Sequence, residues 1–154
     1  MTESHKYMNM NQTQVRNILT YIDETQDESV KKDIFGQLGY QCFHAGRISE
    51  WIASFNGDVQ ALQDWVNVQQ ASTYWEKLAF NEDRTMLILT GREVQGCVCA
   101  FADCAQPPQS LCHYCCKAFQ QALFGKLLNR KVEVTITEAF LLGDNRCSTI
   151  IQLV

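Results

Sequence analysis

The chain has 154 residues, 46% of them hydrophobic and 19% charged, the composition of one globular domain with a real core. Its formal net charge is −4 and no Lys/Arg run exceeds two residues, so the electrostatic footprint of a nucleic-acid binder is missing. The opening MTESHKYMNMNQTQ lacks the apolar stretch of a secretory signal, and no apolar run approaches the length of a membrane span, so a cytoplasmic protein without a nucleic-acid or membrane partner is expected.

Read in chain order, residues 1–11 look like a flexible tail on a single domain covering 1–154, and residues 12–80 look helical. Val15, Ile18, Leu19 and Ile22 recur at i, i+3, i+4 and i+7, the spacing of one helix face. The polar patch DETQDES divides this helix from a second one carrying Val30, Ile34 and Leu38. Gly46 interrupts the pattern, and Ser49 can cap a short helix bearing Trp51, Ile52 and Phe55. Asn56-Gly57 is a turn, Asp58 a cap for a helix with Leu62, Trp65 and Val66 on one side, and Tyr74–Phe80 a further short helix.

After Asn81 the period changes. Residues 85–91 and 95–101 are rich in strand formers and are separated by the turn Gly91-Arg92-Glu93. Pro107 and Pro108 delay the next helix, expected near 110–128 with Ser110 as its cap and Leu111, Cys115, Ala118 and Ala122 facing inward. Residues 131–140 and 146–153 read as strands joined by a turn at Gly143-Asp144-Asn145. The predicted fold is α+β: a helical N-terminal half packed on a four-stranded antiparallel sheet, with a β-β-α-β-β order over 81–154.

The densest chemistry lies between Cys97 and Cys116, which holds six of the eight cysteines. A lone cysteine usually packs as a small hydrophobe. Six in one short segment of a cytoplasmic domain point instead to a metal or a reactive thiol. Cys97 and Cys99, two apart on a strand, would share a face, and Cys112 and Cys115 would be neighbours on a helix. Cys112 would sit in the first helical turn, where free N–H groups favour a thiolate. Cys97, Cys99, Cys112 and Cys115 are therefore the expected metal ligands, with Cys104 or His113 as substitutes. Four thiolates suit zinc, with an iron–sulfur cluster the less favoured alternative. Cys42 and His44, far away in sequence, read as structural unless the fold returns Cys42 to the cluster.

The C-x-C at Cys97 and Cys99, the prolines, and CCKAFQQALFGKLLNRKVEV leading to a Gly-x-x-x-Cys strand resemble one uncharacterised bacterial group. That group is related to aminothiazoline-carboxylate hydrolase-like proteins and to the vinyl-reductase ligand-binding domain. Cys97, Cys99, Cys115, Phe124, Val132, Val134, Gly143 and Cys147 fit its pattern over roughly 94–152. His113 and Leu38 stand where that pattern has cysteines. The resemblance implies the helix-plus-antiparallel-sheet fold of Golgi-transport tethering subunits, and it adds Cys147 as a further substitute ligand.

Two functions follow from these readings. One is a small-molecule or metal-binding domain with a cysteine-rich, zinc-type centre beside an apolar pocket. The other is a hydrolase that attacks a C–N or C–S bond with a metal-bound water or a Cys thiolate, with His113, Asp103 or Glu93 moving protons. No HExxH, GxSxG or Gly-rich phosphate loop is present, His5 lies in the tail, and four thiolates usually close a zinc shell, so binding is favoured. A small-molecule ligand and a homodimer are both compatible with the sequence.

Overall fold

The computed structural model describes residues 3–154, with side chains from Gln12 onward. Helix α1 runs Glu3–Thr25, α2 Glu28–Ala45, α3 Ile48–Ala53 and α4 Val59–Asn67. Strands β1 (Trp75–Phe80) and β2 (Met86–Gly91) follow. A long irregular segment then leads to a π-helical turn, Leu111–Cys116, which continues as α5 (Lys117–Leu128) before β3 (Val132–Glu138) and β4 (Ser148–Leu153). The four strands are all antiparallel and lie in the order β1-β2-β4-β3. This is the α+β architecture anticipated, with its helices largely in the first half. No helix among the described residues is long and apolar enough to cross a membrane.

The helix boundaries follow local chemistry. Asp27 caps α2 by accepting from the Val30 amide at 3.0 Å, and Asp58 caps α4 by accepting from the Ala61 amide at 3.0 Å. Asn56 and Gly57 both have positive φ, as a turn there requires. Asn129 ends α5 in the left-handed region. Neither Ser49 nor Ser110 acts as the expected cap. Ser49 accepts from the Lys126 ammonium, and the Ser110 hydroxyl donates to the Asp23 carboxylate. Helix α1 is continuous from Glu3, inside the stretch expected as a tail; Met1 and Thr2 lie outside the described residues.

Two expectations about single segments are overturned. Residues 74–80 form no helix, because Trp75–Phe80 is the edge strand of the sheet. The Asn67 side chain makes this possible. Its oxygen accepts from the Leu78 amide at 2.8 Å and its nitrogen donates to the Leu78 carbonyl at 2.7 Å, so α4 covers the outward backbone groups of the edge. Conversely, residues 95–101 form no strand. The segment is irregular up to Cys99 and closes with a 3₁₀ turn, Ala100–Ala102. The amides of Cys99 and Phe101 turn toward the sulfurs of Cys97 and Cys99.

The inner face of the sheet carries Leu78 opposite Leu89, and Leu87 opposite Ile151 opposite Val134. These pack under Leu123, Phe124 and Leu127 of α5 and Leu62 and Val66 of α4, forming the main core. Helix α2 buries Phe35, Gly39 and Phe43, one position displaced from the expected Val30-Ile34-Leu38 stripe, and Ile34 is exposed. On α1 only Leu19 of the predicted apolar set is buried, while Val15 and Ile18 face outward. A second, smaller core gathers Leu19, Phe35, Ala102, Leu111 and Cys115.

Two glycines fix how these parts meet. A Cβ on Gly39 would lie 2.0 Å from the Cys115 carbonyl oxygen, so α2 and the π-helical turn touch backbone to backbone. A Cβ on Gly91 would lie 2.1 Å from the Cys147 carbonyl oxygen, so the end of β2 touches the backbone before β4 in the same way. Gly36 on α2 has open space around it. Gly39→Ala and Gly91→Ala should each lose about 1–3 kcal/mol by forcing these backbones apart. Gly36→Ala should be neutral or gain about 0.5–1 kcal/mol through helix propensity. Urea unfolding of the three variants checks this; equal effects at Gly36 and Gly39 would refute the contact argument.

Candidate functional site

Helix α1 straps the cysteine-rich segment at both ends. The Arg16 guanidinium donates to the Ala100 carbonyl at 3.1 and 2.8 Å and lies 3.7 Å from the Asp103 carboxylate. Two turns further along the same helix, Asp23 accepts from the Gln109 amide at 3.2 Å and from the Ser110 hydroxyl. Residues 16 and 23 are i and i+7, so both project from one face. The Tyr114 hydroxyl adds a hydrogen bond to Glu28 on α2. This scaffold holds the turn after Cys99 and the start of the π-helical turn in fixed positions.

Seven of the eight cysteines join one electrostatically connected group. Cys97 interacts with Cys99, Cys112 and Cys147, and Cys99 with Cys112. Cys115 interacts with Cys42, Cys99 and Cys112, and Cys116 with Cys112, Cys115 and Cys99. The four thiols expected as ligands therefore feel one another's charge, as do Cys147 ahead of β4 and Cys42 on α2. Cys104 is exposed and stays outside the group. All eight cysteines are free thiols.

The electrostatics of the group are dominated by loss of water. Burial pushes the Cys97 thiol up to about 11 and raises Cys99, Cys42 and Cys147. Cys115 is driven strongly upward, first by burial and then by Cys42, Cys99 and Cys112. Cys112 alone is lowered. Cys116 donates a hydrogen bond to its sulfur, and the Leu141 backbone amide adds another, against the cost of burial. As the donor, Cys116 is held well above the ordinary thiol range.

Backbone amides address four of the sulfurs. Cys97 receives the amide of Cys99, and Cys99 receives those of Phe101 and Ala102. Cys112 receives the amide of Leu141, and Cys147 that of Phe140 at 3.4 Å. Two consecutive amides of the 3₁₀ turn Phe140–Leu142 thus serve sulfurs from two separate elements. Cys115 is different: its hydrogen bond is with the Cys42 thiol.

The remaining candidates lie elsewhere. His113 is exposed, with its ring beside Tyr114. Asp103 is exposed beside Arg16, and Glu93 accepts from Asn145 and Arg146. His44 packs its ring against Tyr40 and Phe43, and the His5 side chain lies outside the described residues. Among the described residues, no group of three or more His, Cys, Asp or Glu side chains stands ready-arranged around a metal position. A cleft of about 520 Å³ lies at the β1–β2 edge, lined by Asn67, Gln70, Glu76, Lys77 and Thr90, and shares no residue with the thiol group. Cys116 and Cys42 are the members that sequence spacing did not select. The sequence signal for Cys42 lies in the family resemblance, whose pattern has two cysteines in this region, of which Cys42 remains and Leu38 replaces the other.

The chain matches no protein-family model and no curated protein. Among solved structures it is similar to a trafficking protein particle complex subunit 3 from Naegleria fowleri, crystallised covalently bound to palmitic acid. That likeness has a TM-score of 0.53 at 12% identity and covers 95% of this chain and 96% of the other. At this identity the likeness is one of fold alone. It does not bear on the hydrolase-like and vinyl-reductase relatives themselves.

Raised thiols carry a pH dependence of definite sign. The folded metal-free protein holds Cys97 protonated up to about 11, whereas the unfolded chain releases that proton near 9. The unfolded state then binds fewer protons, so the contribution of Cys97 to stability is constant below pH 9 and is lost as pH rises toward 11. Urea midpoints of reduced, metal-free protein across this range should decline, and Cys97→Ala should flatten part of that decline. A midpoint that rises from pH 9 to 11 would contradict the burial assignment.

Proposed function

We propose that this protein is a non-catalytic metal-binding domain in which Cys97, Cys99, Cys112 and Cys147 hold a zinc ion as thiolates. The observation that carries the reading is the set of backbone amides directed at these four sulfurs. A neutral thiol is a weak acceptor with little need of such donors, but a metal-bound thiolate carries charge that amide hydrogen bonds stabilise and orient. Cys147 takes the place first expected for Cys115, whose own hydrogen bond is with Cys42.

Loading the site removes protons from buried thiols and replaces an uncompensated charge cost by metal–sulfur bonds. Because the side chains are not already arranged around a metal position, loading also rotates cysteine side chains on a fixed backbone. The backbone contacts at Gly39 and Gly91 and the strap from α1 keep that adjustment local. The hydrolase reading has less support, since His113, Asp103 and Glu93 are each placed at the surface or in other partnerships.

Cobalt(II) titration of reduced protein under anaerobic conditions tests the proposal. A sulfur-to-cobalt charge-transfer band should saturate at one ion per chain and disappear when zinc is added. Serine at position 97, 99, 112 or 147 should weaken binding by more than the roughly 10–100-fold that losing an outer-shell partner costs. Cys104→Ser and His113→Ala should bind as the parent does. A titration with no charge-transfer band, or a band unchanged in both Cys97→Ser and Cys147→Ser, would overturn the reading. Loss in Cys115→Ser with retention in Cys147→Ser would return the fourth ligand to the helix.

A further inference from the structure

Two thiols of the group stand apart from the amide-supported four. Cys42 on α2 and Cys115 on the π-helical turn are hydrogen-bonded to each other, and no backbone amide serves either sulfur in the way it serves Cys97 or Cys147. Their proximity is enforced by the backbone rather than by flexible side chains. Gly39 lies three residues before Cys42, on the same face of α2, and is in backbone contact with Cys115 itself. Any side chain at Gly39 would separate the two elements one helical turn from Cys42. The pair is also reachable from outside: Cys115 is buried, but Cys42 is partly exposed.

The geometry points to Cys42 and Cys115 as a redox-active dithiol, separate from the metal-holding cysteines, that closes to a disulfide linking α2 to the π-helical turn. The oxidant is a small-molecule disulfide of the glutathione type. The Cys42 sulfur attacks one sulfur of that disulfide, forming a mixed disulfide and releasing one glutathione thiolate, which takes up the Cys42 proton. The Cys115 sulfur then attacks the Cys42 sulfur, expelling the second glutathione, which takes the Cys115 proton. Two protein thiols are oxidised by two electrons in all, and one glutathione disulfide is reduced to two thiols. Cys42 is the entry point because it is the accessible partner, and Cys115 is the resolving thiol because it is buried against it.

This inference does not depend on the zinc reading, and the two fail on different observations. The test uses full-length reduced protein carrying Cys104→Ser, so that the exposed thiol cannot take up glutathione. After incubation with glutathione disulfide, digestion with trypsin and chymotrypsin cuts after Tyr114 and separates Cys112 from Cys115. Tandem mass spectrometry should then find the Cys42 peptide joined to the Cys115 peptide. Free-thiol counting should show the loss of two thiols, reversed by dithiothreitol. Adding Cys42→Ser should abolish this loss, and Cys116→Ser should leave it intact. Zinc-loaded protein should close the same bond without releasing its metal. A dominant Cys112–Cys116 bond, or Cys42 and Cys115 remaining reduced while other thiols oxidise, would overturn the assignment. Stable glutathionylation of Cys42 that never resolves onto Cys115 would overturn it equally.

Discussion

The thiol group depends on two places where backbone touches backbone. At Gly39 the second helix lies directly against the carbonyl of Cys115, and at Gly91 the end of β2 lies directly against the carbonyl of Cys147. A cysteine side chain is short, so sulfurs from distant segments can meet only if their backbones come close. The two glycines supply that closeness, and the α1 strap through Arg16 and Asp23 holds the intervening loop in register. These contacts fix the backbone at Cys115 and Cys147 directly.

Gathering thiols in a place with little water has a chemical consequence. Every thiol there except Cys112 is pushed toward keeping its proton, and each ionisation discourages the next. The metal-free group is thus a set of neutral, weakly polar side chains that pack as small hydrophobes beside Leu19, Phe35 and Leu111. In the proposed site a soft divalent cation would reverse the preference by supplying the countercharge that water no longer does. The backbone amides at four of the sulfurs are already in place for the charged form. Cys42 and Cys115 lack that support and satisfy each other instead, which makes them suited to exchange chemistry rather than to ligation.

Much of this was legible in the sequence where the signal is local. The fold class, the caps at Asp58, the turn at Asn56-Gly57 and strands β2, β3 and β4 all rest on short-range patterns, and they hold. The errors fell where tertiary contacts outweigh local preference. Trp75–Phe80 has the composition of a helix as much as of a strand, and the Asn67 side chain from α4 decides the matter by satisfying its outer edge. Residues 95–101 have strand-like composition, but the amides of Cys99 and Phe101 are directed at sulfurs. Cys97, Cys99, Cys112 and Cys115 were expected on a strand facing a helix, and they lie instead on an irregular loop and a π-helical turn. Cys42 and Cys116 were not legible as members. Membership for Cys42 depends on a close approach across more than seventy residues of chain, and for Cys116 on the wider turn of a π-helix.

The central claim is that backbone geometry commits four thiols to one metal ion. X-ray absorption spectroscopy at the zinc edge, on protein loaded with one equivalent of zinc, tests it most directly. The account predicts a shell of four sulfur scatterers at about 2.3 Å and no nitrogen or oxygen in the first shell. A shell dominated by nitrogen or oxygen would contradict it, since the zinc would then be bound at the protein surface and the buried thiols would be packing residues only.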